Sequence, residues 1–449
     1  MSPIKLKNDN SMQIIHIVPG SGGSFYCGNC LRDSKYLTGL KRAGAEVIKV
    51  PMYLPLFADE HDLEDIPVFY GAISIFLKHS VPILRKAPGW VDSILNSGPA
   101  LKLAAGMAGS TNPKGLEDMT ISMLLGESGE QKKELDHLVD WIGEHCNADV
   151  VHLSNALLIG LARRLKEKLD VIVVCTLQDE DVWVNAMDED FKRQTWDLMK
   201  ERAKDVDAFF AVSDYYAAEM KRKMQIPDEK MHVVHIGIVQ DLYKASVPVQ
   251  NPQVIGYLSR MYKEHGFGLM IDAYIKLREK PEFKDVKLKL SGGMTADDKR
   301  FVNKQLKKLK KNKLWQDVEI IDDFKTESLS EFYKKLTILS VPVLKGEAFG
   351  TYQIESLACG IPLVQPSLGA FTEIVETTGG GVLYEPNTAE ALAEKWAEVL
   401  VNPEKIQQMS EDGRKSVLEN FTTDILTKKV LKVYEKVTND FQSDQRLAV

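Results

Sequence analysis

Short, unbroken apolar runs alternate with segments of helical spacing along almost the whole chain. The first run, residues 12–18, ends in a glycine-rich stretch at 19–23, after which Leu31, Leu37 and Leu40 recur as they would along one side of a helix. Further β-branched runs lie at 46–51, 149–153, 171–177, 207–212 and 231–235. Runs this short and this apolar predict parallel strands buried on both faces. Leu157, Leu158, Leu161 and Leu165, at helical spacing between two of the runs, predict a crossover helix. A polar, proline-bearing stretch at 244–252 reads as a linker, and beyond it the pattern restarts, with strands expected at 253–258, 286–290, 318–321, 337–341 and 361–364. A last amphipathic helix is expected over 423–441.

This alternation predicts an α/β fold of two doubly wound, Rossmann-like domains facing a central cleft: residues 1–245, residues 253–422, and the terminal helix. One region, about 70–130, breaks the rhythm and is expected to be an insertion in the first domain. Between 70 and 110 it interleaves Ile73, Phe76, Leu77, Val81, Trp90 and Leu95 with Lys78, His79, Arg85, Lys86 and Lys102. Such a stretch packs as a helical subdomain on its own domain, or it rests in a membrane interface, where anionic lipid attracts each cation.

Length agrees with this division, because 449 residues suit two domains of ordinary size plus an insertion. Sixty-four acidic against 57 basic residues give a net charge of −7, which argues against nucleic acid as the main partner. Five cysteines are too few for a disulfide framework and suit a reducing compartment, with the cytoplasm as the default. No apolar h-region opens the chain, and no run of apolar residues is long enough for a membrane span.

Candidate chemistry concentrates at 345–360, after the strand expected at 337–341. Gly350 and Thr351 suit a helix start, with Ile354, Leu357 and Ala358 beginning a buried stripe. Backbone N–H groups left unpaired at such a start, together with the helix dipole, suit a pyrophosphate. Glu355, about one turn in, could accept hydrogen bonds from a vicinal diol, and Glu347 in the preceding loop could reach hydroxyls beyond the phosphate. Two carboxylates around one helix start fit two parts of an elongated ligand better than opposite sides of one glycosidic bond. Facing cations are offered by Arg260 and Lys263, which follow the first strand of the second half, where open α/β sheets bind ligands. Lys263 alone would equally suit a solvated surface. The lysine-rich segment 299–313, with Leu306 and Leu309 inward, reads as an exposed helix face.

The stretch from Glu347 to Glu355, E-A-F-G-T-Y-Q-I-E, followed by A-C-G-I-P, resembles the E-x7-E signature of GT4-type retaining glycosyltransferases. The glycine-rich loop at 20–23 and Arg260 stand in matching places, and the resemblance covers essentially the whole chain. It implies the GT-B fold, a nucleoside-diphosphate sugar (UDP or GDP type) held mainly by the second domain, a glycan or lipid-linked hydroxyl acceptor held mainly by the first, and no required metal or cofactor; the alternatives on the same fold are a sugar phosphorylase or synthase acting on a soluble sugar and a non-catalytic nucleotide-sugar-binding protein. It further implies a terminal helix that crosses back onto the first domain. By resemblance Glu347 would contact the donor sugar and Glu355 the ribose. Phe349, Gly350 and Thr351 would offer backbone N–H groups, and Gly22 and Gly23 would approach the diphosphate.

Two positions depart from the family pattern. His265 stands where a lysine is usual, so either Lys263, two residues earlier, reaches the phosphate or His265 does so with a pH-dependent charge. The usual T-x-H-D reads Thr176-Leu177-Gln178-Asp179, which replaces a histidine near the donor sugar by the amide of Gln178. Acceptor-side candidates are Asp179 and the loop bearing Ser24, Cys27 and Cys30. The C-x-x-C pair lacks further ligands at zinc spacing and fits a shaped acceptor loop better than a metal or redox site.

Overall fold

Two six-stranded sheets, parallel throughout, account for every strand among the described residues. The computed structural model describes residues 11–19, 28–52, 115–321 and 326–447. The first sheet is built from β1 (Gln13–Val18), β2 (Glu46–Pro51), β3 (Val150–Leu153), β4 (Ile172–Leu177), β5 (Ala208–Ala211) and β6 (Met231–Val233), in the order β2-β1-β3-β4-β5-β6. The second contains β7 (Val254–Leu258), β8 (Lys287–Ser291), β9 (Val318–Ile321), β10 (Ile338–Leu339), β11 (Leu363–Pro366) and β12 (Gly381–Tyr384), in the order β12-β11-β10-β7-β8-β9. Each order reverses direction once, between β1 and β3 and between β7 and β10, and such switch points open a crevice at the carboxyl ends of the strands.

Local sequence explains these strands. β1 and β4 are buried at every position, as a parallel strand covered by helices on both faces must be. Eleven of the twelve strands fall within two residues of the expected runs. The twelfth, β12, follows Gly379 and Gly380, and its four residues carry too little apolar pattern to stand out. The crossover expected around Leu157 begins as a 3-10 turn, Ala156–Leu161, before the helix Ala162–Leu169. Asn155 caps that turn, its Oδ1 accepting the Leu157 N–H at 3.0 Å.

The segment at 244–252 does not hang free. Ser246 N–H donates to the Cys359 carbonyl at 3.0 Å, and Val249 N–H to the Leu336 carbonyl at 2.9 Å. The terminal helix runs over Thr423–Leu447, longer than the apolar pattern alone predicts. Val430 and Tyr434 on it pack with Ile14, Val150, Ile172 and Phe210 of the first sheet, so it lies on the first domain. No helix among the described residues is long and apolar enough to cross a membrane. The basic, apolar region at 70–110 lies outside the described residues, and of the stretch 70–130 expected to be an insertion only 115–130 is described, with the helix Glu117–Leu125 and the 3-10 turn Gly126–Ser128.

Candidate functional site

One wall of the crevice is the turn after β7. Gly266 (φ 70°) starts the helix Phe267–Arg278, and a Cβ there would lie 1.7 Å from the Pro342 carbonyl oxygen, so only glycine lets this turn press against the segment leaving β10. That approach brings Arg260 and the loop of Glu347 to the same switch point. The Arg260 side chain is only 12% exposed: Nε donates to Asp298 Oδ2 at 2.8 Å, the guanidinium also reaches Asp298 Oδ1 at 3.2 Å and Thr295 Oγ1 at 3.1 Å, and it sits 4.5 Å over the Tyr262 ring. Held this way, the planar cation is fixed in orientation.

His265 does not supply a charge to this wall. Its ring Nδ1 lies 2.5 Å from Ser259 Oγ and its ring packs 4.4 Å from that of Tyr262. Burial first, and then the charge of Arg260, push its pKa down to about 3, so the imidazole is neutral throughout the physiological range. The expectation of a titrating cation at His265 is thereby corrected. Lys263, two residues earlier, is exposed at the turn.

The loop between β10 and the helix Thr351–Ala358 meets this turn, Leu344 N–H donating to the Glu264 carbonyl at 2.8 Å. Glu347 accepts from the Tyr352 hydroxyl at 2.5 Å, and its backbone carbonyl accepts the Ala370 N–H at 3.1 Å. Burial, with the nearby charge of Asp179, raises the Glu347 carboxyl to about 8. At neutral pH it is therefore mostly protonated and can donate as well as accept a hydrogen bond. Phe349 is buried, its ring 6.3 Å from Phe421 and 6.0 Å from His235. Gly350 (φ 78°) is the residue from which the helix starts, and Thr351 behind it is 4% exposed. Glu355 lies about one turn in, as its spacing predicts, but it is fully buried: Tyr243 donates to Oε1 at 2.7 Å and Tyr333 to Oε2 at 3.0 Å. A ribose would have to share or displace these tyrosines.

The first domain contributes the carboxyl end of β4. Gln178 is 6% exposed, with Nε2 donating to the Ser154 carbonyl at 2.7 Å, and Asp179 takes a left-handed conformation (φ 58°). Asp179 Oδ1 accepts the Ala348 N–H at 3.3 Å, which bridges the two domains beside Glu347. Glu180 explains how this turn is held. It is almost fully buried and accepts from the N–H groups of Gln178 (2.7 Å) and Ala156 (2.8 Å) and from the Tyr216 hydroxyl (2.8 Å). Burial raises its pKa to about 7 despite these bonds.

Gly22, Gly23, Ser24 and Cys27 lie outside the described residues, as does the Cys30 side chain, although Cys30 falls in the helix Gly28–Arg42. The structure thus brings together Glu347, Asp179, Arg260 and the start of the helix at Thr351. It adds Tyr243, Tyr333 and Asp298, partners that no local spacing signals because they come from other elements, and Tyr352 and Glu180, which lie within or beside the motifs but whose bonding only the fold reveals. Among the described residues one group could offer three ligands to a metal: Asp214, His235 and Glu373, with atoms within 4.8 Å of one another. Both Glu373 oxygens there already accept backbone N–H groups.

A family model described as Glycosyl transferases group 1 matches residues 239–416, and one described as Glycosyltransferase Family 4 matches residues 132–242. MMP alpha-(1->4)-mannosyltransferase of Mycolicibacterium hassiacum is 23% identical over 314 residues, 66% of this chain and 72% of that one. An uncharacterised glycosyltransferase of Methanocaldococcus jannaschii is 30% identical over 122 residues, so the match spans 27% of this chain and about a third (34%) of that relative. Among solved structures, sucrose-phosphate synthase from Thermosynechococcus elongatus superposes with a TM-score of 0.72 at 16% identity, covering 96% of this chain and 100% of that one. HepE of Anabaena, solved with UDP and glucose, gives 0.66 at 15% identity over 95% of this chain and 100% of its own. At these identities the likeness is one of fold.

Proposed function

The chain belongs to the GT4-type, group 1 glycosyltransferases and has their GT-B fold, and from that premise we propose that it transfers a hexose, with retention of configuration and without a metal, from a nucleoside-diphosphate sugar to a hydroxyl. The observation that supports this reading is that Arg260, Glu347 and Asp179 gather around the Tyr262 side chain after β7, with the Arg260 guanidinium 4.5 Å over its ring. Arg260, aided by Lys263, would face the diphosphate, and its rigid fork would stabilise negative charge as the phosphate leaves. The Thr351 helix start, with Phe349 and Gly350, would offer N–H groups to phosphate and sugar. Gly22 and Gly23 would approach the diphosphate from the first domain, and Glu355 would reach the ribose.

A neutral Glu347 suits this work. An uncharged carboxyl can bridge sugar hydroxyls without repelling the diphosphate nearby. Asp179 would face the acceptor, and Gln178 would hydrogen-bond the donor sugar. The leaving phosphate would take the acceptor proton on the face of attack, so catalysis would rest on positioning and charge stabilisation in a closed cleft. A UDP donor is favoured by the fold likeness to HepE, a protein solved with UDP and glucose. The acceptor would be a hydroxyl of a glycan or of a lipid-linked acceptor. The protein would work in the cytoplasm, where residues 70–110 would either pack as a helical subdomain on the first domain or make a peripheral contact with the inner membrane surface.

Turnover of UDP-hexoses by the E347A and R260A variants tests the assignment. Both are expected to lose about 100-fold or more in kcat/KM, the scale of removing a group that stabilises developing charge. Wild-type turnover in both would remove it.

A further inference from the structure

We propose that Glu373 and His235 form a latch between the two domains, which positions the Glu347 loop against the first domain. Glu373 lies in the first turn of the helix Phe371–Thr378 of the second domain. Its carboxylate reaches across to the helix Asp214–Met224 of the first. Oε2 accepts the Asp214 N–H at 2.9 Å and the Tyr215 N–H at 3.3 Å, and Oε1 lies 2.7 Å from His235 Nε2. An acid from one domain thus satisfies the unpaired N–H groups, and complements the dipole, of a helix in the other. Burial would raise the Glu373 pKa, but the hydrogen bonds from His235 and Asp214 outweigh it and hold the pKa below the ordinary value, so the group is ionised at neutral pH.

The hold is transmitted to the candidate site by short contacts. Ser213, which caps the gripped helix through the Tyr216 N–H at 3.0 Å, donates its hydroxyl to the Ala348 carbonyl at 2.6 Å. Ala348 N–H in turn meets Asp179 at 3.3 Å. On the other side of the latch, Ala370, just before the helix of Glu373, donates its N–H to the Glu347 carbonyl at 3.1 Å. His235 also packs its ring 5.2 Å from Phe421, where the chain returns to the first domain. The latch is therefore continuous with both sides of the loop, although neither Glu373 nor His235 belongs to the proposed ligand contacts. Glu373 and His235 are positioning residues.

The test compares full-length wild-type protein with E373A, E373Q and H235Q, each first checked for a cooperative thermal transition. Amide exchange in peptides covering 347–353 and 213–216 is expected to quicken about tenfold or more in E373A and less in E373Q, because local opening no longer breaks the latch. H235Q, which retains a side-chain N–H donor, should stay nearer wild type than E373A. The kinetic arm rests on the glycosyl-transfer reading: kcat is expected to fall about tenfold in E373A while the donor KM stays within about threefold, since positioning rather than binding is lost. Exchange needs no turnover, so it judges the latch even if that reading fails. Unchanged exchange in E373A would overturn the proposal. A wild-type protein that EDTA alone drives to the E373A exchange pattern would also overturn it, in favour of a cation bridging Asp214, His235 and Glu373.

Discussion

The Tyr352 hydroxyl donates to Glu347 Oε2 from five residues further along the chain, and so ties the proposed sugar-binding carboxyl to the helix whose start faces the crevice. That bond favours the ionised carboxylate and opposes the two influences that raise its pKa to about 8, burial and Asp179. Activity that needs the neutral carboxyl should persist below pH 8 and decline as pH rises through it. Removing the tyrosine hydroxyl in Y352F removes the opposing influence. The alkaline limb of the kcat/KM profile should move to higher pH, while kcat at neutral pH falls by about threefold to tenfold through looser positioning. An unmoved alkaline limb would show that Glu347 is not the group titrating there.

Gly266 supports a stability prediction. Alanine there needs a left-handed conformation, and its Cβ would collide with the Pro342 carbonyl oxygen, a backbone atom that cannot turn aside. G266A should lose about 2 kcal/mol or more of unfolding free energy in a urea titration. A loss below about 0.5 kcal/mol would mean that the turn relaxes away from β10.

At the other end of the chain, Tyr434 on the terminal helix bonds the Tyr36 hydroxyl at 2.6 Å and His152 Nδ1 at 2.5 Å, and His152 Nε2 lies 2.7 Å from Thr176 Oγ1. Y434F keeps the ring packing but removes the hydroxyl that bonds both Tyr36 and His152, whose contact with each other is longer, 3.3 Å. It should cost about 1–3 kcal/mol. Because none of these bonds involves Glu347, Asp179 or Arg260, the donor KM measured well below the melting point should stay within about twofold. A stability equal to wild type would show that water replaces the hydroxyl at no cost.

Strands and topology were legible because buried parallel strands need continuous apolar runs, as at β1 and β4, and a fold of two such sheets leaves few connections to choose among. β12 escaped because its four residues follow two glycines. Glu347, Glu355 and Arg260 were legible because each lies a fixed distance from the end of a strand or the start of a helix. Their environments were not. Two tyrosines far apart in sequence close over Glu355, Asp298 orients Arg260, and the burial that neutralises His265 depends on Tyr262 and Ser259 folding over its ring. Composition of a motif sets which groups are present; only packing sets their charge and reach. The interdomain contacts of Glu373 carry no sequence pattern at all, since they join positions more than 130 residues apart.

The most direct test of the central claim is proton NMR of the wild-type protein incubated with UDP-α-hexoses, alone or with a hydroxyl acceptor, following the anomeric signal of the first product formed. The account predicts release of UDP and a product with the α configuration of the donor. A β product would contradict retention, and intact donor across the UDP-, GDP-, ADP- and CDP-hexoses would contradict glycosyl transfer itself.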